Sequence, residues 1–204
     1  MRKNNPPPFR AFKKFRLKQA LQFSSFIYQL GESSLLRQKS TPVNLIALKT
    51  VSQQKKIEHL KNYLLRYREI TGQGRGITGV QVGILERISV VFTPENELLV
   101  IINPVITKTA NKKYKYPEMC MSAWPIIAPV IRPAWIEFEY FDENGQQKIW
   151  NEKSDTERGR MLNRVFQHEF DHLEGVLNID YCKGEDLILE SDPDFYKTAT
   201  FQEV

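Results

Sequence analysis

Two histidines spaced four residues apart are the clearest chemical signal in the sequence. His168 and His172 occur in the pattern H-E-x-x-H, although the whole chain contains only three histidines. Residues i and i+4 of a helix lie on one face, with Cβ atoms about 5–6 Å apart. Two imidazoles at this spacing can bind one metal ion, and Glu169 between them can take a proton from water at that ion. The pattern therefore predicts a metal site with an adjacent base.

The helix that should carry this motif has a predicted start and a predicted end. Ser154 and Glu157 have the S-x-x-E spacing of a capping box, which predicts the helix start. Gly175 is placed to follow the last helical residue as a left-handed cap. Met161 and Val165 share one stripe of this helix with both histidines. We therefore expect the histidines to face inward with apolar residues.

A metal site of this kind needs a third protein ligand, and three candidates can be compared. The extended form H-E-x-x-H-x-x-G-x-x-H fails because its last position is Asn178. Glu190 follows His172 by 18 residues, but Pro193 would interrupt the helix that this arrangement requires. Cys120, within E-M-C-M-S, supplies a thiolate, which is a strong ligand for zinc or ferrous iron. Spacing alone leaves Glu190 and Cys120 open.

Three motifs in a fixed order resemble those of the peptide deformylases. That family carries G-x-G-x-A-A-x-Q, E-G-C-L-S and Q-H-E-x-D-H in this order. The corresponding segments here are G-R-G-I-T-G-V-Q at 74–81, E-M-C-M-S at 118–122 and Q-H-E-F-D-H at 167–172. One H-E-x-x-H motif is shared by unrelated hydrolases, whereas three motifs in order are specific. The resemblance runs from about Phe26 to Tyr181, and it selects Cys120 over Glu190 as the third ligand.

The resemblance implies an ion, a reaction and a role for each site residue. Three residues would hold one Fe²⁺ ion per chain, with Zn²⁺ or Ni²⁺ able to substitute: Cys120, His168 and His172. Glu169 would move protons, while the Gln81 amide and the Met121 N–H would donate to the oxyanion. The substrate would be the N-terminal formyl-methionine of nascent polypeptides, from which the formyl group is hydrolysed. Glu118 would be a structural carboxylate paired with Arg132.

Several residues depart from the pattern of the resembled family. We assign Gly76 and Arg75 of the glycine-rich loop to substrate binding, because glycine permits a close approach of backbone to a ligand. Arg75 occupies a position that is usually apolar and close to the methionine pocket. The other departures are Met119 for glycine, Met121 for leucine, Thr78-Gly79 for two alanines, and Ile127 where an arginine is frequent. None of them removes a ligand or the base, so they bear on substrate preference and turnover.

Two other functions stay open at the level of the sequence. One is a catalytically silent or altered-specificity metal-binding relative, whose basic leader docks a partner. The other is an H-E-x-x-H zinc protease that uses Glu190 as its third ligand.

Charge and composition divide the chain into segments. Residues 1–24 contain seven basic residues and no acid, against a net charge of +5 for the whole chain. We predict a basic N-terminal extension over residues 1–24, a catalytic domain over 25–183 and an acidic C-terminal tail over 184–204.

No apolar run approaches the roughly 20 residues needed to span a bilayer. Two cysteines do not make a disulfide framework, and a metal-binding Cys120 implies a reducing compartment.

The basic extension allows more than one interpretation. It is predicted to be an extra helix packed on the domain, and it also suits association with ribosomal RNA or an anionic membrane surface. Its acid-free, amphipathic composition is also typical of an organelle transit segment. We therefore predict the bacterial cytoplasm as the location, with an organelle as the alternative, and no DNA partner.

Hydrophobic periodicity predicts an α+β fold, with mixed or antiparallel sheets around a central helix that carries the H-E-x-x-H motif. A first helix is expected over residues 52–68, with its buried face formed by Ile57, Leu60, Leu64 and Tyr67. Strands are expected over 88–92, 98–102, 135–141, 147–150 and 176–179, with a hairpin turn at 142–145. The basic run 111–115 is interpreted as a solvated loop, and the acidic tail as loosely packed and helical in part.

Overall fold

The computed structural model describes residues 27–189 and 199–204. The predicted extension over residues 1–24 and the alternative ligand Glu190 lie outside the described residues. The α-helices of the described part are α1 (Val51–Thr71) and α2 (Glu157–Leu173). The strands are β1 (Gly76–Thr78), β2 (Ile88–Phe92), β3 (Leu98–Thr109), β4 (Lys113–Met119), β5 (Ile126–Pro133), β6 (Ile136–Phe141), β7 (Gln147–Trp150), β8 (Ile188–Leu189) and β9 (Gln202–Glu203). No helix in these ranges is long and apolar enough to cross a membrane.

The strands form two antiparallel sheets. The five-stranded sheet has the order β1-β2-β3-β6-β7, and the four-stranded sheet has the order β8-β5-β4-β9. Every ladder between these strands is antiparallel, and one isolated parallel bridge joins Thr41 to Glu86. The predicted α+β class with antiparallel sheets is therefore confirmed.

Helix α1 forms where apolar spacing and end caps agree. The Thr50 hydroxyl caps its start by accepting from the Gln53 N–H, and Gly72 ends it with a left-handed φ of 68°. The predicted apolar stripe of this helix is buried. It packs with Ile77, Ile88, Val90 and Ile102 of the five-stranded sheet. This core fixes the position of β1, the strand that lies within the glycine-rich loop.

Helix α2 buries two different faces. Leu162, Phe166, Phe170 and Leu173 pack against the five-stranded sheet, where the Phe166 and Phe138 rings lie 5.0 Å apart. Such aromatic pairs contribute about 0.5–1.5 kcal/mol beyond area burial. Of the predicted stripe, Val165 packs at the margin of this same apolar cluster, whereas His168 and His172 join Cys120 on another face.

The predicted start of α2 is wrong by two residues. Thr156, not Ser154, is the N-cap, because its hydroxyl accepts from the Gly159 N–H at 3.1 Å. Ser154 instead donates to or accepts from the Thr156 hydroxyl at 2.9 Å. The predicted end is confirmed, because Gly175 has a φ of 75° and follows the cap residue Glu174.

Three further predictions concern the four-stranded sheet and the segments around it. The basic run at 111–115 is not only a loop, since β4 begins at Lys113 and pairs along its length with β5. The tail contributes two short strands, β8 and β9, that pair with β5 and β4 and were not predicted. Its described part also contains a 3-10 turn at Gly184–Asp186, and both strands are exposed, which agrees with the prediction of a loosely packed segment that is helical in part. The segment 176–179 is not a strand, because a 3-10 turn occupies Asn178–Tyr181.

Candidate metal centre

Three predicted ligands meet between the end of β4 and helix α2. Cys120 directly follows β4, and His168 and His172 lie one turn apart on α2. One ligand atom from each side chain lies within 4.8 Å of the others, and Cys120 Sγ is 3.2 Å from His172 Nε2. Ligands about 2.0–2.3 Å from a tetrahedral ion are roughly 3.5 Å apart, so this cluster fits one ion. A thiolate and two imidazoles suit zinc and ferrous iron alike.

A buried carboxylate orients His168. The Nδ1 atom of His168 lies 3.2 Å from Glu118 Oε2, which leaves Nε2 for an ion. Arg132 donates to both oxygens of Glu118, at 2.6 and 2.9 Å, so the predicted pairing of these residues is confirmed. Arg164, four residues before His168, also donates to Glu118 and anchors α2 to the carbonyls of Val130 and Tyr114. The sequence analysis missed Arg164, although its i, i+4 spacing from His168 was a usable signal.

These contacts set the charges of the site. Burial raises the pKa of the Glu118 carboxyl, but the charges and hydrogen bonds of Arg132 and His168 together outweigh burial and hold this pKa well below its ordinary value. Burial lowers the pKa of His168, but hydrogen bonds with Cys120 and Glu118 raise it well above its ordinary value. Burial and the neighbouring His168 charge both lower the pKa of His172, which favours a neutral, ligating imidazole. The buried Glu118 carboxylate is therefore negatively charged, and it contacts one of the proposed ligands, His168.

Glu169 is buried beside the cluster and contacts the glycine-rich loop. Thr78 donates its hydroxyl to Glu169 Oε2 at 2.7 Å. Burial raises the pKa of the Glu169 carboxyl above its ordinary value, although the charge of His168 acts in the opposite direction. A Cβ atom on Gly76 would lie 2.5 Å from Glu169 Oε1. Gly76 therefore lies close to Glu169, the proposed base. The sequence analysis expected a close approach of Gly76 to the substrate only.

Gln81 has its amide fixed by the same loop. It lies in a 3-10 turn, Gly79–Val82, and accepts from the Thr78 N–H at 2.8 Å. Its Nε2 atom donates to Ser122 Oγ at 3.1 Å and lies 3.9 Å from Cys120 Sγ. The donor end of the amide is thus directed toward the ligand cluster. Met121 lies between Cys120 and Ser122, and its backbone carbonyl accepts a hydrogen bond from Gln29 Nε2 at 3.1 Å.

One cavity of about 700 Å³ opens onto these residues. Its walls include most of the predicted site: Arg75, Gly76, Gln81, Met121, His168 and Glu169. The departures Met119 and Arg75 line it, together with Met161 and Val165 from the predicted histidine stripe. Ile127 is fully buried in β5 and is not among the described residues that line the cavity. The cavity volume lies in the range typical of small-ligand sites.

Comparison with known proteins decides the family. A sequence model of the family described as polypeptide deformylase matches residues 25–187. The chain belongs to the polypeptide deformylase family. The deformylase resemblance drawn from the three motifs is thereby confirmed, and the zinc protease that would use Glu190 is not favoured.

Individual deformylases agree with this assignment. The peptide deformylase of Rhizobium meliloti is 34% identical over 151 residues, which cover 72% of this chain and 79% of that protein. The one from Picosynechococcus is 38% identical over 119 residues, covering 56% of this chain and 60% of that protein. The expectation of an enzyme is thus confirmed at the level of the family.

Solved deformylase structures share the fold. A probable peptide deformylase from Synechococcus phage S-SSM7 superposes with a TM-score of 0.63 at 31% identity, covering 76% of this chain and 98% of that one. The peptide deformylase of Ehrlichia chaffeensis, solved in complex with actinonin, gives 0.65 at 28% identity, covering 78% and 89%. The antiparallel α+β architecture is therefore that of known deformylases.

Proposed function

We propose that this chain is a metal-dependent hydrolase that removes the formyl group from the N-terminal formyl-methionine of nascent polypeptides. The observation that carries the proposal is the Cys120, His168 and His172 cluster beside buried Glu169. His168 and Glu169 line the cavity, whereas Cys120 and His172 are fully buried. The family relationship supports the substrate class. The structure of the Ehrlichia relative was solved in complex with actinonin.

The cluster would hold one ferrous ion, with zinc or nickel able to substitute. An ion bound there supplies Lewis-acid chemistry, because it lowers the pKa of bound water toward about 7 and polarises a carbonyl. Glu118 supports the ligand set by holding His168 Nδ1, so that the ring presents Nε2.

Glu169 would carry the protons of the reaction. Its Oε2 accepts from Thr78 and its Oε1 faces Gly76, which fixes the carboxylate at the cavity wall. In this position it would accept the proton of the attacking water and then deliver it to the leaving amine. General acid–base steps of this kind contribute about 10²–10⁴-fold.

Gln81 and Met121 would stabilise the charge that develops on the formyl oxygen. The carbonyl oxygen of the Gln81 side chain is occupied by the Thr78 N–H, so only the amide N–H groups are left to face the site. The backbone N–H of Met121 would be a second donor beside Cys120. Because both donors are held before substrate binds, each is expected to act as an oxyanion-hole donor, worth about 10²–10³-fold.

The peptide would lie along β1. This strand is at the edge of the five-stranded sheet, and Arg75 and Gly76 at its start line the cavity. The carbonyl of Arg75 accepts from the Phe92 N–H of β2, so antiparallel alternation directs the backbone groups of Gly76 to the free edge. A peptide extending outward from Gln81 and Glu169 would therefore pass Gly76 and then Arg75.

The decisive experiment measures formate release from formyl-Met-Ala-Ser by anaerobically purified, iron-loaded protein. We expect turnover by the wild type, loss of metal and turnover in Cys120→Ser, and retention of both in Glu190→Ala. The reverse result for the two variants would favour the protease. A wild type that binds iron stoichiometrically without releasing formate would instead indicate a catalytically silent relative.

We also propose that residues 25–183 form the catalytic domain, flanked by a basic extension over 1–24 and a tail over 184–204. The extension would associate with ribosomes in a bacterial cytoplasm, an assignment supported by its seven basic residues and by bacterial relatives. Removing residues 1–24 should leave turnover of a short formyl peptide largely intact and weaken any salt-sensitive ribosome binding. Unchanged ribosome binding by the shortened chain would contradict this role.

A further inference from the structure

Arg75 differs from the other charged residues around the cavity. Its side chain is exposed, it lines the cavity, and among residues 27–189 and 199–204 its guanidinium has no hydrogen bond or ion pair. Burial raises the pKa of the Tyr116 hydroxyl, and the charge of Arg75 acts against that rise, so Arg75 is within electrostatic reach of the cavity wall. It also directly precedes Gly76, which contacts Glu169. Arg75 is therefore adjacent in sequence to Gly76, the residue that contacts the proposed base, Glu169.

The other outer arginines of the cavity have partners. Arg158 forms an ion pair with Glu95 at 3.1 Å. Arg68 donates to the Asn96 side chain at 3.1 Å and lies 4.5 Å over an aromatic ring. These contacts leave Arg75 as the cation on this wall that is most available to a ligand.

The acids of the cavity do not neutralise Arg75. Glu118 is committed to Arg132 and Arg164, and Glu169 accepts from Thr78. Glu157 also lines the cavity, but it lies in the first turn of α2, where the helix dipole stabilises its charge. Among residues 27–189 and 199–204, none of these acids forms an ion pair with Arg75, so a ligand carboxylate can serve as its counter-charge there.

We propose that Arg75 makes this enzyme prefer formyl-Met peptides with a carboxylate side chain at the first or second residue after the methionine. The inference rests on the proposed function and adds a substrate subclass to it. A peptide that runs outward along β1 advances about 3.3 Å per residue, so its next residues come beside Arg75. Guanidinium and carboxylate match in geometry and can form two parallel hydrogen bonds.

The test compares kcat/KM for formyl-Met-Xaa-Ser-amide and formyl-Met-Ser-Xaa-amide peptides, where Xaa is Glu, Gln or Lys. The amidated ends remove the terminal carboxylate, and Glu and Gln have the same shape. We expect Glu to exceed Gln by about three- to tenfold in one series, with Lys below Gln. The preference should shrink as ionic strength rises, because solvent-exposed charges are screened.

Two variants assign the preference to Arg75. In Arg75→Gln the Glu-to-Gln ratio should fall to about one, and Arg75→Glu should invert the order so that Lys is preferred. Arg158→Gln is the matched control, because it removes a paired arginine from the same cavity and should keep the wild-type ratio.

Failure of this inference is distinguishable from failure of the proposed function. Formate release from every peptide without a charge preference would overturn the role of Arg75 and leave the deformylase proposal standing. A preference that appears only with free C-terminal acids, or that persists in Arg75→Gln, would also overturn it. Absence of formate release from all peptides would contradict the proposed function itself.

Discussion

Charged side chains have opposite environments at the inner and outer ends of the cavity. At the inner end, Glu118 is buried and contacts Arg132, Arg164 and His168. At the outer end, the Arg158–Glu95 pair is two-thirds exposed on both sides, and Arg75 has no ion pair among the described residues. The first arrangement fixes positions, whereas the second leaves charge available to whatever enters.

This difference has an energetic counterpart. Removing one partner of a buried ion pair leaves an uncompensated charge away from water and typically costs about 3–5 kcal/mol. An exposed pair contributes about 0–1 kcal/mol, because water screens it and the side chains lose entropy. Substitutions at the inner end should therefore abolish activity, whereas substitutions at the outer end should change substrate preference and leave activity largely intact.

The largest expected effect is that of Glu169→Gln. This variant keeps the shape of the side chain but removes proton transfer, so kcat should fall by about 10²–10⁴-fold. Metal content, measured by atomic spectroscopy, should match the wild type, because Glu169 is not a proposed ligand. Loss of the metal together with activity would show that Glu169 serves the ligand set instead.

The next effect is that of Gln81→Leu. It removes a proposed oxyanion donor and should lower kcat by about 10²–10³-fold, with a smaller change in KM. The Thr78 N–H also loses its acceptor, so a thermal unfolding curve must accompany the kinetics. A drop in activity no larger than the fraction of protein unfolded would contradict a catalytic role.

Glu118→Gln tests the inner network more indirectly. Arg164 loses its anion and Arg132 keeps only Asp171, which should lower the free energy of unfolding by about 3–5 kcal/mol. His168 loses its charged partner, which should weaken metal affinity by about 10–100-fold in a chelator competition. Glu143→Gln is the control, because Glu143 pairs with Lys61 at a partly exposed site. Equal effects of the two variants would remove the distinction between buried and partly exposed ion pairs.

The smallest effect should be that of Glu95→Gln. It breaks the exposed pair with Arg158, so the free energy of unfolding should change by no more than about 0.5 kcal/mol. Chemical denaturation is sufficient to measure this. A change above about 2 kcal/mol would mean that the outer end is as constrained as the inner one.

The parts of the fold that sequence predicted are those in which one local signal dominates. The stripe Ile57, Leu60, Leu64 and Tyr67 repeats at helical spacing, and each member is buried. The hairpin between β6 and β7 follows from the turn at 142–145, where Gly145 has a φ of 78°. In both cases the predictive pattern lies within one short stretch of the chain.

Strands β4 and β5 were missed because their signal is nonlocal. Tyr114, Tyr116 and Glu118 alternate on the buried face of β4, but a lysine and a proline lie between them. A carboxylate on a buried face contradicts any hydrophobic pattern, and its arginine partners come from β5 and α2. Only the assembled fold explains why Glu118 can be buried there.

The candidate site was predictable in its residue types and not in its supports. The motifs locate the three ligands, Glu169 and Gln81, yet nothing local indicates that Gly76 must be small to admit Glu169. The helix start was similarly ambiguous, because Ser154 and Thr156 are both good caps and the choice depends on the contact with Gly159. Contacts between distant segments decided each of these points.

The contact between Thr78 and Glu169 has a consequence for folding. These residues are 91 positions apart, Cys120 and His172 are 52 apart, and Gln81 and Ser122 are 41 apart. Each closure costs chain entropy that is recovered only when both sheets and α2 have formed. Loss of catalytic activity on heating should therefore coincide with global unfolding, and no proteolytic fragment that carries α2 alone will keep the centre.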